Sequence, residues 1–255
     1  ATKELGFRPS LATKASFFSP RNLEMPPTSS PFPSRRNQKA LLPPEATSAS
    51  AQSLSICFRV WVKSWTTTAF TTAPDFKPGR HPWHHAGVFY AQEPSASAPA
   101  ALLDVHPGMK VADLCAAPGG KTSQLAEALQ GQGLLLANEF VAARAEILRQ
   151  NLERMGVTNA VITNEDTANL AKALPGVFDR VLVDAPCSGE GMFRKEPVAA
   201  TQHNNALVEH CAALGAEILE NAAAMLAPGG VLVYSTCTFA PQEDEAQIAA
   251  FLARH

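Results

Sequence analysis

A chain of 255 residues, 46% hydrophobic and 17% charged, can bury one substantial core and a small second unit. Its net charge of −2 excludes an argument for nucleic-acid binding from overall charge, so partners have to be read from local features. Five cysteines without a Cys-x-x-Cys pair disfavour a disulfide framework and a zinc finger. With no apolar run of about 18 residues to span a membrane and no opening signal peptide, the expectation is a soluble, cytoplasmic protein that needs no metal.

The charge is unevenly spread. Residues 1–80 carry +7 and residues 81–255 carry −9. The first segment holds 10 of the 20 prolines and 20 Ser and Thr residues, with no sustained helical or strand period, and reads as an irregular basic leader. Within it, Ile56, Phe58, Val60 and Val62 alternate with Ser55, Cys57, Arg59 and Trp61, which predicts a solitary strand in Leu54–Phe70. An organelle transit peptide is disfavoured for want of an amphipathic Arg helix. A basic tail that loosely attracts RNA by counterion release is a third reading.

From His81 the pattern changes. Met109–Cys115, Gly133–Glu139, Ala160–Asn164, Phe178–Asp184 and Val231–Ser235 are short apolar runs that predict buried parallel strands. Between them, helical spacing links Leu125, Ala128 and Leu129, then Ala143, Ile147, Leu148 and Leu152, then Leu207, Cys211, Leu214, Ile218, Leu219, Ala222 and Leu226. Repeated βαβ units predict an α/β fold with a parallel sheet covered on both faces. Ligands of such sheets sit beyond the carboxyl ends of the strands. There the sequence places Cys115-Ala116-Ala117-Pro118-Gly119-Gly120-Lys121, Glu139, Glu165-Asp166, Asp184-Ala185-Pro186-Cys187 and Ser235-Thr236-Cys237-Thr238.

The first of these loops is neither a Walker A loop, which would need Gly in place of Cys115, nor a G-x-G-x-x-G turn. It is a tight Pro-Gly-Gly turn that opens a helix and brings backbone N–H groups near a ligand. Glu139, at the end of the next strand, suits a ribose-diol acceptor, although a solvated charge or helix cap explains a lone Glu equally well. Cys57, Cys115 and Cys211 read as buried structural residues. Cys187 and Cys237 stand in polar strand-end loops, where a thiol pKa can be lowered for nucleophilic work. Asp184 could hold a substrate amine or orient a base.

Three long segments carry a resemblance. Asp113–Thr122, the run Asp184–Lys195 and Tyr234–Phe239 resemble the signature motifs of the Nop/Sun-type RNA (cytosine-5)-methyltransferases. The bacterial ribosomal RNA small-subunit methyltransferase F group is the nearest match, given Tyr90-Ala91-Gln92-Glu93-Pro94-Ser95 and Glu190–Lys195. The resemblance implies a Rossmann-like class I S-adenosylmethionine-dependent catalytic domain over residues 81–255. It implies methyl transfer to carbon 5 of a cytosine in RNA, ribosomal RNA or the small subunit being the expected partner. By the same resemblance, Cys115 to Lys121 line the cofactor, Glu139 binds its ribose, Asp166 meets the adenine side, and Asp184 lies near methyl donor and base. Cys237 becomes the nucleophile, Cys187 the group that lets the product leave, and Asp184 and Lys121 hold the base or its neighbours.

The sequence departs from that family in three places. Residues 1–80 do not look like its upstream RNA-contacting segment. The chain stops after an acid-started helix from about Gln242 with Ile248, Phe251 and Leu252 on one face, so the domain is expected to be truncated after its fifth strand, leaving Val231–Ser235 near an open edge. Gly215 replaces an expected Gln, at roughly 1 kcal/mol relative to Ala in a helix. The alternative is therefore an inactive chain that binds S-adenosylmethionine or RNA without catalysis; a dehydrogenase is a distant third.

Overall fold

The computed structural model describes residues 57–60, 68–71, 77–93, 95–193 and 197–255. Expectations for residues 1–56, and for Arg194 and Lys195, fall outside the described residues. The predicted solitary strand is corrected. Strand β1 (Cys57–Val60) pairs antiparallel with β2 (Thr68–Thr71) and with β3 (Phe89–Gln92), in the order β2-β1-β3. Ladder bonds on both sides satisfy backbone groups that a lone strand leaves open.

Five parallel strands follow, in the order β6-β5-β4-β7-β8. They are β4 (Lys110–Asp113), β5 (Leu134–Asn138), β6 (Ala160–Thr163), β7 (Phe178–Asp184) and β8 (Leu226–Ser235). Each coincides with an expected strand, and the fold is a Rossmann-like α/β sheet. Strand β8 starts earlier than Val231 because Leu226 pairs with Phe178 ahead of a register irregularity, after which Val231 meets Arg180. Among the described residues β8 pairs with β7.

The helices are α1 (Pro82–His85), α2 (Ala98–Leu102), α3 (Gly120–Leu129), α4 (Ala142–Arg154), α5 (Thr167–Ala173), α6 (Pro197–Gln202), α7 (Asn205–Met225) and α8 (Glu245–Arg254). Successive strand residues point to opposite faces, and the core divides accordingly. Ala112, Leu136, Val181, Val183 and Tyr234 pack with Leu170 of α5, Ile218, Leu219, Ala222 and Met225 of α7, and Phe251 of α8. Val111, Leu135, Leu182 and Val233 pack with Ala100 of α2 and Leu125, Ala126 and Leu129 of α3. Each fully buried Leu contributes roughly 1.5–3 kcal/mol relative to an exposed one. No helix among the described residues is long and apolar enough to cross a membrane.

Helix faces were partly misjudged by spacing alone. In α4 the inward residues are Ala145, Leu148 and Leu152, whereas Ala143 is exposed and Ile147 is 48% exposed. In α8, Phe251 is buried and Leu252 faces outward, and Leu226 belongs to β8 rather than to α7. Only one stripe of a helix can face the sheet, and it rotates with the residue at which the helix starts. Gly215 has a packing reason: a Cβ there would stand 2.7 Å from the Tyr234 hydroxyl oxygen. Its helix penalty is offset by letting β8 lie close to α7.

The chain runs outward from β4 through β5 to β6, then returns to place β7 on the other side of β4. Between the carboxyl ends of β4 and β7 the strand order reverses, which is where open α/β sheets form their ligand crevice.

Candidate active site

The crevice is framed by backbone contacts before any ligand enters. After β4, the Leu114 N–H donates to Leu182 O and the Ala116 N–H to Asn138 O, at 3.0 and 2.8 Å. Arg144 and Asn151 donate to the carbonyls of Ala117 and Pro118 at 2.9 and 2.8 Å. Gly119 then takes a φ of +109°, and α3 begins with no side-chain cap on its first N–H groups. A Cβ on Gly120 would stand 2.5 Å from Gln92 Oε1 and 3.0 Å from Tyr90 Cε1, so the glycine lets these β3 side chains settle against the turn.

Asp113 lies beneath the turn, 1% exposed. Its Oδ2 accepts from Thr122 Oγ1 at 2.7 Å, and its Oδ1 is buried without a hydrogen-bond partner. Burial raises its pKa from 3.8 to about 7, and the nearby Asp184 carboxylate adds to this. A carboxyl whose folded pKa is raised stabilises the fold fully below pH 4, and that stabilisation is lost as pH climbs through 7. Asp113→Asn, which cannot ionise, is therefore expected to gain stability over the parent by about 2 kcal/mol more at pH 8 than at pH 5. Urea unfolding of both proteins at the two pH values is the measurement, and an unchanged difference would show that Asp113 does not titrate in that window.

Glu139, at the end of β5, is 3% exposed. Its Oε1 accepts the Val141 N–H at 2.9 Å and its Oε2 lies 3.4 Å from Arg144 Nη1; it is neither solvated nor α4's capping residue. Asn138 beside it was missed by sequence reading. Its amide donates to Leu114 O and Glu165 O and accepts from Thr163 Oγ1 and the Glu165 N–H, tying three strand ends together. A polar Asn ending an apolar run was the available signal. Asp166 is the N-cap of α5, accepting the Ala168 N–H at 2.8 Å.

Across the crevice, Asp184 accepts from Lys121 Nζ and from Ser235 Oγ, each at 2.7 Å. This ion pair joins α3 to β7 and holds both side chains at the strand-order reversal. Beyond it the two cysteine loops converge. Cys187 and Cys237, 50 residues apart in sequence, have their sulfurs 3.2 Å apart, and the Cys237 N–H donates to Cys187 Sγ at 3.3 Å. Cys237 is exposed and Cys187 half-buried.

Two thiols this close share a proton unequally. The hydrogen bond from Cys187 lowers the Cys237 thiol from 9.0 to about 7, against burial and the Asp184 charge and with help from Lys121. The Cys187 thiol is pushed well above its ordinary range by the same hydrogen bond and by burial. Cys115 is likewise raised by burial and by Asp113, the behaviour of a structural thiol. The pair thus favours ionisation of the exposed Cys237 sulfur over that of the half-buried Cys187. Among the described residues no group of three or more His, Cys, Asp or Glu is arranged to hold a metal ion.

Comparison with known proteins bears on this site. "Ribosomal RNA small subunit methyltransferase F" of Cronobacter sakazakii is 43% identical over 174 residues, 68% of this chain and 36% of that protein. The protein of the same name from Salmonella arizonae is 48% identical over 166 residues, 64% and 34%. The chain thus spans about a third of the length of the curated relatives it matches. A methyltransferase homologue from Pyrococcus horikoshii superposes with a TM-score of 0.66 at 32% identity, over 79% of this chain and 70% of that one. NSun6 from Pyrococcus horikoshii, solved with SFG, gives 0.64 at 28% identity over 71% and 46%. The family model described as 16S rRNA methyltransferase RsmB/F matches residues 100–255. Because that match spans every strand of the parallel sheet and both cysteine loops, the chain belongs to the RsmB/F family of 16S rRNA methyltransferases.

Proposed function

We propose that residues 81–255 form the catalytic unit of an enzyme that transfers a methyl group from S-adenosylmethionine to carbon 5 of a cytosine in RNA. The substrate class is small-subunit ribosomal RNA, and the reaction passes through a covalent adduct on Cys237. The observation that carries this reading is the thiol pair, two sulfurs from different strand-end loops 3.2 Å apart, with the Cys237 thiol lowered by its neighbour.

Carbon 5 of cytosine is a poor nucleophile. Addition of the Cys237 thiolate to carbon 6 forms an S–C6 bond and gives carbon 5 enamine character, so that it can take a methyl group. The proton on carbon 5 must then leave, and the C6–S bond breaks to return the thiolate. Cys187 lies against Cys237 and is half-buried; once Cys237 is bonded to carbon 6, Cys187 would release its own proton to solvent and, as the thiolate, take the proton from carbon 5. The Asp184 carboxylate, already oriented by Lys121 and Ser235, can accept from the exocyclic amine of cytosine. The base has to leave its stack to reach these groups.

The residues also fit the cofactor. Gly119 and Gly120 leave the first N–H groups of α3 open to a carboxylate or phosphate-like acceptor. Glu139 has one oxygen on the Val141 N–H and the other beside Arg144, and a second lone pair on each would serve a ribose diol. Cys115 to Lys121 would line the cofactor, Glu139 would hold its ribose and Asp166 its adenine side. Support comes from the Pyrococcus horikoshii relative, whose ligand SFG is an S-adenosylmethionine analogue. When bound, S-adenosylmethionine supplies an electrophilic methyl group on a sulfonium.

Incubation of the chain with methyl-labelled S-adenosylmethionine and small-subunit ribosomal RNA, followed by nucleoside analysis, is expected to put the label in 5-methylcytosine. Label in any other nucleoside would overturn the assignment of carbon 5.

A further inference from the structure

Behind the thiols lies a buried polar cluster that the reaction above does not use. Glu243 is 1% exposed, although it begins an acidic run, Glu243-Asp244-Glu245, that would ordinarily lie in solvent at a helix start. Asp244 and Glu245 do occupy the start of α8, whereas Glu243 turns inward. Its Oε2 accepts the Ser188 N–H at 2.8 Å and its Oε1 the Ser188 hydroxyl at 2.5 Å. A buried carboxylate is costly unless its oxygens are satisfied, and here one residue satisfies both.

That residue follows Cys187 directly. The Ser188 hydroxyl also meets Thr238 Oγ1 at 2.9 Å, and Thr238 follows Cys237 directly. The Glu243 carbonyl accepts from Tyr234 Oη at 2.9 Å, three residues before Cys237. A second link runs the other way, from the Gly191 N–H to the Cys237 carbonyl at 2.7 Å. Glu190 adds to it by accepting the Phe239 N–H at 2.6 Å. The two cysteine loops are thus joined through two sets of bonds, one that closes on Glu243 and one through Glu190 and Gly191.

We propose that Glu243 is a positioning residue, holding the Cys187 and Cys237 loops at the spacing on which the proton-sharing thiol pair depends. This rests on the role given to that pair above. A thiol–thiolate hydrogen bond weakens steeply with distance, so small separations of the loops matter. The groups that face Cys237 are Cys187, Asp184 and Lys121. Glu243 holds both the backbone N–H and the hydroxyl of the residue next to Cys187, and does so from within the chain that follows Cys237.

The test is the rate at which iodoacetamide alkylates Cys237 in the 255-residue chain as a function of pH, read from the mass of the peptide that carries it. The parent is expected to titrate near pH 7. Glu243→Ala should move the midpoint upward by about one unit, toward the ordinary thiol value near 8.5. Glu243→Gln, which keeps an acceptor for the Ser188 N–H, should recover at least half of that shift. Ser188→Ala, which loses only the hydroxyl links, should shift it by less and in the same direction. A purely structural role would lower thermal stability without moving the midpoint. Should Glu243→Ala not fold, the Gln and Ser188→Ala proteins decide. Parental midpoints in folded variants overturn the clamp alone. A parent that titrates near 8.5 overturns the thiol-pair reading and the clamp with it.

Discussion

Replacing Cys237 with alanine is expected to abolish methyl transfer, by roughly 10⁴-fold or more, and to leave no RNA attached to the protein. On the proposed mechanism Cys237 is the thiol that the end of β8 supplies for addition to carbon 6. Cys187→Ala is expected to fail in the opposite way. Attack and methyl transfer can proceed while release stalls, so a protein–RNA adduct should accumulate and survive denaturation. Because the hydrogen bond shared with Cys187 lowers the Cys237 thiol, this variant should also need a higher pH to react. A comparison at pH 7 and 8.5 separates slow attack from slow release. The measurement is a denaturing gel with labelled RNA and S-adenosylmethionine. If Cys237→Ala traps RNA and Cys187→Ala does not, the two roles are exchanged; if neither differs from the parent, the thiol mechanism falls.

Glu139→Ala should weaken S-adenosylmethionine binding roughly 10- to 100-fold, since a hydrogen bond to a charged group contributes about 1.5–3 kcal/mol. Cys237→Ala should change it by less than about twofold, because a nucleophile for RNA makes no ground-state demand on the cofactor. Arg144 complicates the first variant: it lies near Glu139 and also holds the Ala117 carbonyl. Glu139→Gln keeps the shape of the site and should lose less than Glu139→Ala. Titration calorimetry on the three proteins distinguishes these outcomes, and equal losses in Glu139→Ala and Cys237→Ala would sink the cofactor assignment.

Much of this was legible in the sequence because parallel strands buried on both faces leave apolar runs that loops and helices punctuate. Met109–Cys115 and Phe178–Asp184 needed no tertiary information to be recognised, and the strand-end rule then collected Glu139, Asp184, Cys187 and Cys237 at one edge. Helix rotation was less legible. In α4, Ala143 and Ile147 keep helical spacing with Leu148, yet the buried stripe runs through Ala145, Leu148 and Leu152; spacing fixes a period but not a phase. Pairing was less legible still, since nothing local to Cys57–Val60 announces partners at Thr68–Thr71 and Phe89–Gln92. The Ser188–Glu243 contact joins residues 55 apart, and only the fold brings them together.

The thiol pair lies across the seam between β7 and β8, Cys187 after the first and Cys237 after the second, whereas the Gly119–Gly120 turn follows β4. Segments of a fold open locally with different free energies. On the proposed mechanism, loosening of the β7–β8 seam would part the sulfurs before it disturbed the turn. A mildly loosened variant is therefore expected to keep S-adenosylmethionine affinity while the reactivity of Cys237 falls toward that of an ordinary thiol.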